Sequence, residues 1–136
     1  MNSKEPGKNI IEKIISIFNK KNYLEALNLS NKILEEYPNS ILINNIAGVI
    51  QTEINNYDEA KKLFIRVVSL NPKYSDGFYN LANIYKKLNQ DEKAIETYNK
   101  VIELDNSYFK AYNNLGNLYR KKNLNKEALE YYILTL

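Results

Sequence analysis

The chain has 136 residues, one domain's worth, and its 44% apolar and 26% charged residues suit a folded protein with a core. It holds no cysteine and no histidine, which excludes disulfides, Cys/His zinc sites, thiol nucleophiles and imidazole bases together. Four glycines and three prolines supply too little turn chemistry for an all-β fold, and a net charge of +3 is too small to argue for nucleic acid by itself.

The N-terminal stretch MNSKEPGKN is polar, and no apolar run approaches the roughly 18 residues that span a bilayer. The expectation is a soluble, cytoplasmic protein without a membrane partner. From Ile10 the chain turns helical: Ile10, Ile14 and Ile17 form one stripe, and Ala26, Leu29 and Ile33 form the next. A step of 34 residues then reproduces the pattern. Ala26, Ala60, Ala94 and Ala128 share one column, Leu29, Leu63, Thr97 and Tyr131 a second, and Ile33, Val67, Val101 and Thr135 a third. Pro38, Pro72 and Asn106 close successive units. The units run about 7–40, 41–74, 75–108 and 109–136.

The third unit shows the internal plan. Phe78, Leu81, Ala82 and Tyr85 recur at i, i+3, i+4 and i+7; LNQDE interrupts; Ala94, Ile95, Tyr98, Val101 and Ile102 resume the helical period. Each unit therefore predicts two helices joined by a short polar turn. One such hairpin cannot cover its own apolar stripe, so neighbours must stack.

The 34-residue period, the NLANIY and NLGNLY strings, the YDEA, DEKA and NKEA segments and the closing Pro38 and Pro72 resemble the tetratricopeptide repeat over nearly the whole chain. The resemblance implies an all-α fold, a right-handed α-solenoid of four stacked helix-turn-helix hairpins with the last one truncated, forming a single domain. Carried over by position, the large packing residue of the first helix falls on Phe78 and Tyr112, with Ile10 and Asn44 as weaker versions. The small crossing residue falls on Gly48, Ala82 and Gly116. The first unit departs from the pattern, with Ile14 at the small place and Lys13 where leucine is usual, so the packing of its first helix is open.

The resemblance also implies function: a non-catalytic interaction scaffold that holds an extended or helical peptide of a protein partner in a concave groove lined by first helices, and the charge pattern adds that the segment is acidic. No cofactor is expected. The groove-facing places of the third and fourth units read Tyr79, Asn80, Asn83, Lys86 and Lys87, then Lys110, Asn113, Asn114, Asn117, Arg120 and Lys121. An asparagine amide offers donor and acceptor together, so a column of them can pair with a peptide backbone. The resemblance to glycosyltransferases with such superhelices, which hold client chains on an asparagine ladder, points to Asn80 and Asn114. The alternative is that the chain is asparagine-rich throughout. Cations crowd the first helices of these two units and acids the second, which would steer acidic segments to the groove; the competing explanation is that cations at helix C-termini complement the dipole. A carboxylate clamp of the chaperone-binding subclass is rejected, since only Asn80 and Lys110 match its pattern.

The N-terminal half presents Ile11, Ile15, Phe18, Leu42, Ile46 and Val49 instead. A helix apolar almost all round expects cover, from a partner peptide or from a second copy in a homo-oligomer, unless the helix register has drifted by one residue. The chain stops at YYILTL, inside a second helix, and is read as a fragment of a longer repeat protein or as an open end that meets another subunit. A self-assembling module and the substrate-binding arm of a larger enzyme, such as a glycosyltransferase, are the alternatives. Nucleic acid is disfavoured because Tyr85 and Tyr112 fall on the packing stripe, away from any stacking role.

Overall fold

A computed structural model describes residues 4–136, and among them lie eight helices and no strand. They are α1 (Lys8–Asn19), α2 (Tyr23–Glu36), α3 (Ile41–Glu53), α4 (Tyr57–Leu70), α5 (Ser75–Lys87), α6 (Asp91–Leu104), α7 (Phe109–Lys121) and α8 (Asn125–Ile133). The second helices start at 23, 57, 91 and 125, a spacing of 34 each time. The expected all-α fold of four helix-turn-helix hairpins is present.

The turn inside each hairpin explains why the register never slips. Lys21, Asn55, Asn89 and Asn123 all lie in the left-handed region, with φ between 58° and 62°. Around each, the first helix ends in the same paired closure: Asn89 N–H donates to the Lys86 carbonyl (3.1 Å) and Gln90 N–H to the Tyr85 carbonyl (2.8 Å), and the other three turns repeat both bonds. This is the Schellman ending, which satisfies carbonyls the helix leaves unpaired. The residue that completes it opens the next helix, as in Ala94 N–H to Gln90 O at 3.0 Å. Asparagine tolerates the left-handed conformation better than most L-residues, so Asn55, Asn89 and Asn123 have a backbone reason to be there. Lys21 in the first hairpin does not share it.

The helices group into two units, one ending at Pro72 and the other running Lys73–Leu136. In the first, α2 packs on α3, and Ile14, Ala26, Ile43 and Ile50 form the core. In the second, α6 packs on α7 around Ala82, Ala94, Ile95, Tyr98, Val101, Ala111, Leu115 and Leu118. The alanine column Ala26, Ala60, Ala94 and Ala128 is buried in every hairpin.

Close crossing within a hairpin pairs a small residue on the first helix with a ring on the second. A Cβ added to Gly48 would lie 2.6 Å from the Phe64 ring, and one on Gly116 would lie 2.6 Å from the Tyr132 ring. The equivalent pair in the first hairpin is Ile14 and Ser30, both wholly buried. Bulk has changed sides, isoleucine for glycine and serine for the ring, which answers the packing question raised by Ile14. Lys13 is exposed. Asn44, at a place for a large packing residue, is buried and spends its amide on the Pro38 (3.1 Å) and Ser40 (2.7 Å) carbonyls.

The start of α3 is capped from outside its own hairpin. Ser40 Oγ accepts from Ile43 N–H (3.0 Å), and Glu5 brings its carboxylate to Ser40 Oγ and to Ile41 N–H (2.8 Å). A carboxylate there meets the positive end of the helix dipole. Beside it, Pro6 is buried and Lys4 Nζ stands 5.5 Å from the Tyr37 ring centroid.

Candidate interaction faces

Each unit sets its two first helices side by side, and the two faces differ in chemistry. In the first unit, α1 and α3 enclose an open cavity of about 220 Å³ lined by Ile15, Phe18, Asn19, Asn45, Ile46 and Val49. Burying one aliphatic or aromatic side chain there is worth about 1.5–3 kcal/mol. Ile15 is 42% and Leu42 40% exposed, while Ile11, Phe18, Ile46 and Val49 are half-buried. Leu42 and Ile11, expected on the same apolar face, are not in its lining. Asn19 and Asn45 are polar lining residues that the apolar pattern of α1 and α3 does not single out.

In the second unit, the α5–α7 face is a hydrogen-bonded network. The buried Tyr98 of α6 donates its hydroxyl to Asn83 Oδ1. Asn114 Nδ2 donates to the same oxygen (3.3 Å) and to the Tyr79 hydroxyl (3.2 Å), and Lys86 Nζ donates to Asn114 Oδ1 (3.3 Å). The Tyr79 ring lies 6.0 Å from that of Tyr98 and 5.0 Å from that of Tyr108, whose hydroxyl donates to Asp76 at 2.6 Å. One repeat later, Tyr132 donates to Asn117 Oδ1 at 2.6 Å. Asn83 and Asn117 thus each accept from a tyrosine fifteen residues on, inside their own hairpin. That recurring spacing is the trace of the pairing in the sequence. One repeat earlier, the same two places hold Val49 and Phe64, an apolar version of the pair.

Electrostatics follow the burial. Desolvation, then the nearby Tyr79, pushes the Tyr98 phenol well above the usual tyrosine range. Tyr108 is raised in the same way, first by burial and then by its bond to Asp76. Burial, with help from Lys87, lowers the Lys86 ammonium. The expected separation of charge between helices is partly closed by pairing: Lys121 meets Asp91 at 2.9 Å, and Lys122 pairs with Glu92. Lys121, expected in the groove from its position in the repeat, therefore ties α7 to α6. Lys87, Lys110 and Asn113 are exposed, and Asn80 is half-buried. Of the rings near these cations, Tyr112 is buried and Tyr119 lies parallel to Tyr131 at 5.2 Å.

Repeated helical hairpins that, within each unit, set their first helices side by side are the architecture of a protein-interaction scaffold. Tetratricopeptide-repeat models match residues 43–74, 63–96 and 111–136, and a TPR-repeat model matches 82–123. The chain belongs to the tetratricopeptide-repeat family. No curated protein matches it. Among solved structures, a crystal structure of MamA is 25% identical over 93% of this chain and 74% of that one, with a TM-score of 0.88. MamA 41-end from Desulfovibrio magneticus RS-1 is 26% identical over 93% of this chain and 71% of that one, with a TM-score of 0.87. A third, MamA MSR-1 C2, shares the fold at 17% identity, covering 93% and 72% with a TM-score of 0.80. Among the described residues, no helix is long and apolar enough to cross a membrane.

Proposed function

We propose that the protein is a non-catalytic scaffold that holds extended segments of a partner protein against its first-helix faces. The observation that carries this reading is the cavity between α1 and α3, open to solvent, lined mainly by Ile15, Phe18, Ile46 and Val49 and sized for one apolar side chain. The exposed Asn19 in its lining gives a peptide backbone something to pair with. The absence of histidine and cysteine removes the commonest general bases and nucleophiles from the chain, in keeping with binding rather than catalysis.

The test is selection of binders from a random peptide display, followed by amide-shift mapping on the labelled protein. Shifts are expected at Ile15, Phe18, Ile46 and Val49, and Ile46→Lys should abolish binding of apolar-anchored peptides. Selected peptides that map only to the second helices would overturn the reading.

A second reading, self-association through the same apolar face, is favoured by the exposure of Ile15 and Leu42 on adjacent helices. Light scattering over a dilution series decides it: a constant monomer mass removes self-association, and a mass that falls with dilution and is lost in Ile15→Lys supports it.

A further inference from the structure

We propose that the α5–α7 face of the second unit is a seat for a carboxylate on an acidic partner segment, with Lys86 as the direct contact and Asn83 beside it. This rests on the reading that partner segments lie on first-helix faces, and adds what the segment must carry.

The first support is a charge inventory. Helices α5 and α7 carry Lys86, Lys87, Lys110, Arg120 and Lys121 against one acid, Asp76. Lys121 is spent on Asp91, and Asp76 is held by the Tyr108 hydroxyl. Lys86, Lys87, Lys110 and Arg120 have no acidic partner among the described residues. The helix dipole accounts for cations in the last turns of α5 and α7, but not for Lys110 in the first turn of α7, where a cation is unfavourable.

The second support is the direction of the hydrogen bonds. Asn83 Oδ1 is occupied twice, by Tyr98 and Asn114, and both amide protons of Asn114 are used, on Tyr79 and Asn83. What remains to offer a ligand is mostly donors: the Asn83 NH₂ group, the Tyr79 hydroxyl proton and two of the three protons on Lys86 Nζ, against one open lone pair on Asn114 Oδ1. A site left with donors and positive charge takes an acceptor with negative charge, and a carboxylate gains charge-assisted bonds there. Lys86 is half-buried, so its charge is less screened than that of a free surface lysine. The lowered basicity of Lys86 has the same origin, a cation partly withdrawn from water without a counter-charge. An RNA phosphate is a poorer fit, because Tyr79 and Tyr112 are packed inward and leave no stacking platform.

The experiment uses the full chain and a fluorescein-labelled peptide of about twelve residues of Asp, Glu, Ser and Gly, compared with its Asn/Gln isostere and with oligouridylate, by fluorescence anisotropy at about 50 and 300 mM salt. The acidic peptide should bind about ten-fold more tightly than the isostere at low salt, and the gap should shrink at high salt. Lys86→Gln should close most of that gap while leaving the isostere unchanged; Lys86→Arg should restore it; Lys126→Gln on α8 should do neither. Unchanged melting of Lys86→Gln, and rescue by Lys86→Arg, separate lost contact from lost folding through Asn114. Equal affinity for both peptides, tighter binding of oligouridylate, or indifference to Lys86→Gln overturns the seat. If both peptides bind equally and shift α5 and α7 amides, the face still binds partners and only its preference for carboxylate falls.

Discussion

The apolar pair Val49 and Phe64 stands one repeat before the polar pair Asn83 and Tyr98, and this sets up a quantitative test of how that polar pair is held. Tyr98 is fully buried and its hydroxyl has Asn83 Oδ1 as acceptor. Tyr98→Phe removes the donor, but Asn83 Oδ1 keeps the Asn114 amide at 3.3 Å, so the cost should be about 1–1.5 kcal/mol. Asn83→Val is harsher. It leaves the phenol without its acceptor in a buried place and strips one partner from Asn114, for about 2–3 kcal/mol. Valine and asparagine have similar helix propensities, so the backbone contributes little. The double substitution reproduces the chemistry of the second repeat and should lie closer to the wild type than Asn83→Val alone, with a coupling of about 1–2 kcal/mol. Urea unfolding followed by far-UV circular dichroism measures all four proteins. Effects that add within about 0.5 kcal/mol would refute the reasoning, because independent sites add to that precision.

Two further outcomes follow from packing and burial. Gly48→Ala places a methyl 2.6 Å from the ring of Phe64, which is 1% exposed and has nowhere to go, so overpacking of about 1–3 kcal/mol should exceed the roughly 1 kcal/mol gained in helix propensity. The ring facing Gly116 belongs to Tyr132, which is half-buried and can yield, so Gly116→Ala should cost less in the same thermal melts. For Tyr98 and Tyr108 the folded-state phenols titrate above the unfolded value. Their stabilising contribution is therefore complete below about pH 10 and is lost as pH rises beyond it toward the folded values. A spectrophotometric titration should show a set of tyrosines that ionise only as the circular dichroism signal collapses; all twelve ionising together near pH 10 in a folded protein would contradict the burial.

The repeat was legible because its causes are periodic: an alanine column set by burial between packed helices and a hairpin turn set by local backbone chemistry both recur every 34 residues. The first hairpin was harder to read. Ile14 looks like an error in its column until Ser30, sixteen residues on, is set against it, and compensation between helices leaves no mark on either stripe alone. The asparagines posed the opposite difficulty. Asn55, Asn89 and Asn123 serve the backbone of the turns, Asn44 ties down the start of α3, and Asn83, Asn114 and Asn117 bond one another or tyrosines. A column of one residue type does not say whether its amides face a guest or a neighbour. Lys121 was similarly ambiguous, since only the position of Asp91 at the start of α6 reveals the ion pair.

Glu5 lies before the first hairpin, yet its carboxylate closes the start of the helix that carries Ile46 and Val49. Anyone trimming this protein to its repeat boundaries, or grafting its first two hairpins elsewhere, would cut away that lid and let the opening turn of α3 fray. The sequence element that looks most dispensable supplies part of the cap on a helix that lines the apolar recess.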